Sequence, residues 1–140
     1  MKKLVLFALC AIFSMGVLNA QTPKNETENL PGPKISFTSI EHNYGTIEKG
    51  ANGNCEFEFT NTGDEPLILS GVRASCGCTT PSYTQAPVMP GKKGIVKVHY
   101  NTNNVGGFNK SVTVTSNAVN DSRVTLKIKG NVVATENTQQ

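Results

Sequence analysis

Between residues 54 and 129 the chain repeatedly alternates apolar and polar positions, the two-residue period of a strand with one buried face rather than the 3.6-residue period of a helix. Cys55, Phe57 and Phe59 alternate with Glu56, Glu58 and Thr60. Val96, Val98 and Tyr100 alternate with Lys97 and His99, and Val112 and Val114 with Ser111, Thr113 and Thr115. Val124, Leu126 and Ile128 alternate with Arg123, Thr125, Lys127 and Lys129. Residues 34–38, 42–47 and 67–75 complete the set, the last disturbed by Gly71, which predicts a bulge or a change of sheet. Turns rich in Gly, Asn and Asp separate the strands at residues 49–53, 61–64, 90–94, 104–107 and 117–121. No segment supports a helix of useful length. About seven short strands in roughly 100 residues, each with one apolar face, predict an all-β, immunoglobulin-like sandwich. An open single sheet would leave those faces wet, and a small barrel is the alternative that ranks behind.

The ends lie outside this pattern. Met1-Lys2-Lys3, an apolar run over residues 4–18 and then Asn19-Ala20-Gln21 read as a secretory signal peptide, residues 1–20, cut after Ala20. The run is shorter than the about 20 apolar residues of a membrane span, so none is expected after cleavage. Cys10 sits inside the run behind Leu9 instead of closing it after a small residue, which argues against lipidation. Residues 21–34, QTPKNETENLPGPK, carry one large apolar side chain and read as a flexible leader, and residues 134–140 read as a disordered tail. One domain, residues 35–133, remains, exported to the periplasm or secreted.

Loss of Lys2 and Lys3 with the signal peptide leaves 11 basic against 10 acidic side chains. A nucleic-acid partner is not expected, because no basic stripe with interleaved aromatics is present. Arg123, Lys127 and Lys129 along one strand read as a solvated face. With no Trp and 6% aromatic residues the core is modest. Gly-x-Ser-x-Gly, His-Glu-x-x-His and phosphate-cradling glycine motifs are all missing, so the sequence predicts no enzyme. The sequons at Asn25, Asn109 and Asn120 matter only in a host that glycosylates them.

Taken in order, His42-Asn43-Tyr44-Gly45-Thr46-Ile47, Phe59-Thr60-Asn61-Thr62-Gly63, Cys76-Gly77-Cys78-Thr79-Thr80-Pro81, Pro90-Gly91, Gly106-Gly107-Phe108 and Ile128-Lys129-Gly130 resemble the bacterial family called domain of unknown function 1573. That family is similar in turn to the PapD-like group of immunoglobulin folds, with the HYDIN, ASH and major-sperm-protein domains. The resemblance spans about residues 35–132. Where the family often has Asp-Phe-Gly, this chain has Asn43-Tyr44-Gly45, which adds a hydroxyl. The resemblance implies a fold and an exported location and brings no activity. Pilus chaperones of the PapD-like group suggest addition of a partner's strand at an exposed sheet edge.

Chemistry concentrates in Cys55, Cys76 and Cys78. Cys55 shares the face of Phe57 and Phe59, where a free thiol acts as a small hydrophobe. Alternatively, it bridges Cys76 or Cys78, closing a loop of more than about 20 residues worth roughly 3 kcal/mol. A Cys76–Cys78 bridge would close a tiny ring and suggest a labile bond for thiol exchange, although the usual redox spacing is Cys-x-x-Cys at a helix start. Two thiolates one residue apart also suit copper or zinc, with Cys55 or His42 as a third ligand; His99 alternates outward with Lys97 and reads as a solvated strand residue. The plain scaffold reading has Gly77 supply a conformation that Cβ-bearing residues avoid, carrying the chain into Thr79-Thr80-Pro81 with both cysteines packed beneath the turn. Two expectations therefore compete. One is a non-catalytic binding or assembly module of the cell envelope, meeting a protein partner through an edge strand or through Thr79, Thr80 and Pro81. The other is a thiol site at Cys76 and Cys78.

Overall fold

The alternating segments pair into two four-stranded sheets packed face to face, as a computed structural model of the chain shows for residues 30–135. The strands are β1 (Ile35–Phe37), β2 (Glu41–Glu48), β3 (Asn54–Asn61), β4 (Leu69–Ala74), β5 (Thr79–Tyr83), β6 (Lys93–Tyr100), β7 (Gly106–Ser116) and β8 (Arg123–Val133). One sheet has the order β1-β3-β6-β5 and the other β2-β8-β7-β4. Every pairing is antiparallel except β2 with β8, which is parallel. Only the β5–β6 and β7–β8 connections stay within one sheet; of those that change sheet, residues 38–40 carry the chain from β1 to β2 and residues 75–78 from β4 to β5. The expected signal peptide, residues 21–29 of the expected leader and residues 136–140 lie outside the described residues.

The apolar half of each alternation makes the core. Phe57, Phe59, Val96 and Val98 face Val112, Val114, Leu126, Ile128 and Val132, all at most 2% exposed. Burying a side chain of this size stabilises the fold by about 1.5–3 kcal/mol. Gly94 lies opposite Phe59 in the β3–β6 register, and a Cβ there would overlap the Phe59 ring. Gly71 marks a register shift between β4 and β7, as its place in the sequence predicts.

Eight strands stand where about seven were expected, because β5 carries little of the alternation. Only Thr79 in it is fully buried, and it contains Pro81. The domain's hydrogen bonding also begins earlier than the leader reading allows. Gly32 N donates to Asp64 Oδ1 at 2.6 Å, Lys34 N to Asn61 Oδ1 at 3.3 Å, and Val119 N to Pro33 O at 2.8 Å. The last residues before β1 are therefore docked.

Asn61 organises that end of the sandwich. Its side chain is fully buried. Oδ1 accepts from Lys34 N and Gly63 N, while Nδ2 donates to Glu65 O at 2.7 Å and Val88 O at 2.8 Å. Its own peptide groups bond Lys92 O and Gly91 N. A buried amide must be satisfied to be tolerated, and this one is satisfied on every side.

Asn61→Ala removes four hydrogen bonds to backbone groups, of which Val88 O keeps the one from Leu67 N, and is expected to cost about 3 kcal/mol, since each such bond contributes about 0.5–1.5 kcal/mol. Asn61→Asp keeps the acceptor, loses both donors and buries a charge, so it should be no better. Urea unfolding of the three proteins measures this; an Asp variant as stable as the wild type would refute the role of the two donated bonds.

Candidate functional site

The crossover from β4 to β5 is closed by a disulfide between Cys76 and Cys78. Of the alternatives open in the sequence, this is the one formed; Cys55 is unpaired and buried on β3. The turn is short because Thr79 N donates to Cys76 O at 3.3 Å, and it is tied to the neighbouring loop by Asn101 N donating to Cys78 O at 2.9 Å. The buried Thr79 hydroxyl lies 3.7 Å from the Cys76 sulfur and 3.9 Å from that of Cys78. Both cysteines are half-buried, and Cys78 packs on the core. The expected role of Gly77 does not hold: it has no positive φ, and a Cβ on it would meet nothing within 4 Å.

The residues considered as partners for the sulfurs are not brought to them. His42 is on β2 and Cys76 follows β4, the opposite edges of one sheet. Three strand spacings separate those edges, about 14 Å. The His42 ring instead stands edge-on to Tyr44, with centroids 4.5 Å apart. His99 projects outward from β6, and its Nδ1 bonds Asn54 Oδ1 at 2.8 Å, on the β3 side rather than the β5 side. Joined to each other, the sulfurs are not thiolate ligands in this state. Among the described residues no group of three or more His, Cys, Asp or Glu converges as a metal site.

The third cysteine belongs to an aromatic wall near the same end. Tyr100 stacks on Phe108 with centroids 3.8 Å apart, and Tyr44 packs on Phe108 at 5.7 Å. The Tyr44 hydroxyl donates to Gly53 O at 2.7 Å, giving the added hydroxyl of Asn43-Tyr44-Gly45 a structural use. Gly45 (φ +65) forms the bulge that lets β2 keep pairing with β8 past Tyr44. Burial pushes the Cys55 thiol up from its ordinary 9.0, against a smaller opposite pull from the Tyr44 hydroxyl. Burial likewise pushes the Tyr44 hydroxyl up, and the neighbouring Cys55 adds to it.

Each sheet has two outer strands, and they differ in what they offer a visiting chain. At β1 the Asn120 side chain takes the place of a strand, accepting from Ile35 N and donating to Ile35 O at 2.9 Å each. At β5, Thr84 N bonds Ile95 O and Asn101 N bonds Cys78 O, so by the antiparallel alternation residues 80 and 82 also face β6. Pro81 therefore turns its donor-less nitrogen to the open side and blunts that edge. At β2 the bulge between Asn43 and Thr46 divides the strand. At β4, Ser75 N bonds Ser111 O, which turns Val72 and Ala74 outward by the same alternation. No backbone bond outside the sheets involves either residue among those described. Thr79, Thr80 and Pro81 thus form the closed edge, and residues 71–74 the open one. The polarity of β4 was not readable from the sequence, because it depends on which neighbour each peptide faces.

A first strand split between the sheets as β1 and β2, the 75–78 connection and the two four-stranded sheets define a PapD-like, immunoglobulin-like sandwich. The chain belongs to the family described as Protein of unknown function (DUF1573), which matches residues 35–132. Among solved structures it is similar to a protein of unknown function from Porphyromonas gingivalis W83, with TM-score 0.63 and 15% identity over 71% of this chain and 46% of that one. It spans less than half of that protein. The ASH/PapD-like domain 7 of human CEP192 is similar over 91% of this chain and 100% of that one, with TM-score 0.60 and 13% identity. A chain of the CsuC–CsuE chaperone–tip adhesion subunit pre-assembly complex of Acinetobacter baumannii is similar over 71% of this chain and 57% of that one, with TM-score 0.53 and 13% identity. At such identities the likeness is one of fold. No curated protein matches. No helix among the described residues is long and apolar enough to cross a membrane.

The Tyr44–Cys55 pair makes stability fall in alkali. Above the ordinary values of 9.0 for Cys and 10.0 for Tyr, the unfolded chain releases protons that the native one holds, so unfolding is favoured as pH rises. Tyr44→Phe should cost about 1 kcal/mol near neutrality through the lost Gly53 bond and show a shallower loss above pH 10. Parallel curves for the two proteins between pH 8 and about pH 11 would exclude this coupling.

Proposed function

We propose that the protein is an exported, non-catalytic binding module that receives an extended segment of a partner protein along the open edge of β4. The observation carrying this reading is the outward-facing peptide groups of Val72 and Ala74, the only run among the four outer strands not covered, blunted or divided among the described residues. Main-chain pairing at such an edge supplies affinity, and alternate side chains supply specificity. The similarity to a chain of a chaperone–subunit complex supports partner binding as a use of this fold. Export is supported by the amino-terminal apolar run behind Lys2 and Lys3, and by a bridged cysteine pair, which persists in oxidising compartments.

A second reading rests on one observation, the Cys76–Cys78 bridge. A ring with a single intervening residue limits the unfolded chain little, about 1.6 kcal/mol by the chain-entropy relation against roughly 3 for a 15-residue loop. Such a bond is suited to exchange rather than to holding the domain together. Its chemistry would be attack of an external thiolate on one sulfur, release of the other as thiolate, and closure of the ring as the second sulfur displaces the guest.

A photoreactive residue in place of the exposed Ile68, beside the start of β4, tests the first reading in the exporting cell. It is expected to form an adduct that Ala74→Pro abolishes while melting stays unchanged, because the nitrogen of residue 74 faces away from β7. The same reagent at Ser82 of β5 should give no adduct; adducts indifferent to Ala74→Pro would sink the edge reading. Equilibration with glutathione, read by mass after alkylation, tests the second. Exchange requires the bridge to open at potentials above about −300 mV, and a bridge that stays closed below that value makes it structural.

A further inference from the structure

The two outer faces of the sandwich are charged differently. On the β3–β6 face, Lys93 pairs with Glu58 at 2.8 Å and Lys97 with Glu56 at 3.3 Å. On the other face the ion pair lies at the β2 side, where Lys129 meets Glu41 and Lys127 also acts on that carboxylate. Towards β4, Arg73 and Arg123 are exposed and form no ion pair among the described residues, and the Asp121 carboxylate beside Arg123 accepts from its backbone N–H at 3.2 Å instead.

These two arginines border a hollow of about 540 Å³, lined further by Ser70, Gly71, Thr113 and Thr115. Its origin is in the register. Gly71 pairs with Thr115, which pairs with Arg123, and on the next outward rung Arg73 pairs with Thr113. Gly71 contributes no side chain, and a Cβ there would meet nothing within 4 Å. The place that would be filled on an ordinary strand is open, and Arg73, Arg123, Thr113 and Thr115 line it. Two guanidiniums with hydroxyl donors are suited to a carboxylate, which each can bond with charge-assisted N–H donors.

The hollow adjoins the open edge. A strand added beside β4 would run about 4.8 Å from Gly71, and its outward side chain at that position would find no neighbour to pack on. We propose that the segment received at β4 carries one acidic side chain, Asp or Glu, which reaches across Gly71 and is held between Arg73 and Arg123. The inference rests on the edge reading and adds the chemistry of the partner: an extended segment with an acid at a single fixed position. A like-charged residue at that position would be rejected by both arginines, so the pair selects as well as attracts.

The probe is a display library of octapeptides selected against the full exported protein, the Arg73→Gln and Arg123→Gln variants, and Ala74→Pro. The wild type is expected to enrich peptides with Asp or Glu at one position and no acid preference elsewhere. Both glutamine variants should lose that bias and bind the best acidic peptide at least tenfold more weakly; the exposed arginines make no core contact, and unchanged melting verifies that the variants fold. Arg123 is two strands away from the edge, so its substitution reads the acid contact without touching the strand pairing. Enrichment on the wild type without an acid bias, or a bias that survives Arg123→Gln, overturns this inference and leaves the edge reading standing. No enrichment on the wild type, or equal enrichment on Ala74→Pro, overturns the edge reading and this inference with it.

Discussion

A fully buried asparagine holds one end of this sandwich together. A sandwich must turn its chain at the ends of strands, and the peptide groups there leave the sheet ladder without their partners. Asn61 meets that need from inside: one side chain closes the 61–65 corner, holds the approach to β1 at Lys34 and anchors the segment before β6 at Val88. Val88 in turn bridges Leu67, the fully buried residue just ahead of β4. The position of the open edge therefore descends from Asn61 through two bonded contacts. A hydrophobe of similar volume could fill the space but would forgo four hydrogen bonds to the surrounding backbone, which is the more expensive error.

The management of edges follows from two of the connections that change sheet, 38–40 and 75–78. Splitting the first strand between sheets gives each sheet an outer strand on that side, and the 75–78 crossover does the same on the other. Exposed edges invite unselected pairing, and this chain answers with a different device at three of them: Asn120 at β1, the bulge at β2 and Pro81 at β5. The fourth has its irregularity at Leu69–Gly71, before the outward-facing residues, and that irregularity opens the arginine hollow rather than closing the edge. The hollow thus owes its opening to the glycine at position 71, and the edge beside it owes its polarity to the register held at Ser75.

What could be read in advance divides along the same physical lines. Alternation located the strands that build the core, since each needs a continuous apolar face, and Cys55 fell correctly among Phe57 and Phe59. Gly71 announced its irregularity because a side-chain-free residue inside an otherwise regular strand has few other uses. β5 escaped because an outer strand at the rim of a sandwich buries little: Thr80 and Ser82 are exposed and only Thr79 is fully buried. Asn61 and Asn120 escaped because a turn asparagine looks the same in sequence whether it faces water or closes a corner. Arg73 and Arg123 are 50 positions apart along the chain and come to line one hollow only through the β4–β7–β8 register. Gly77 misled, because a glycine between two cysteines invites a conformational explanation that its backbone does not need.

The bridge and the edge are neighbours in sequence, with Ala74 two residues from Cys76, yet they are mechanically separable. Ser75 stands between them and is held twice to the adjacent strand, its N–H donating to Ser111 O at 2.9 Å and its hydroxyl accepting from Ser111 N at 3.2 Å. Both bonds lie on the β4 side of the crossover and neither involves a sulfur. Opening the ring frees the turn at residues 76–78, which Asn101 still holds through Cys78 O, while the register of β4 on β7 is fixed by Ser75 before the ring begins. An edge that depended on the bridge would have made partner binding a redox-gated event. The paired serines instead make the two surfaces independent, so the thiol exchange and the edge pairing proposed above would not depend on one another.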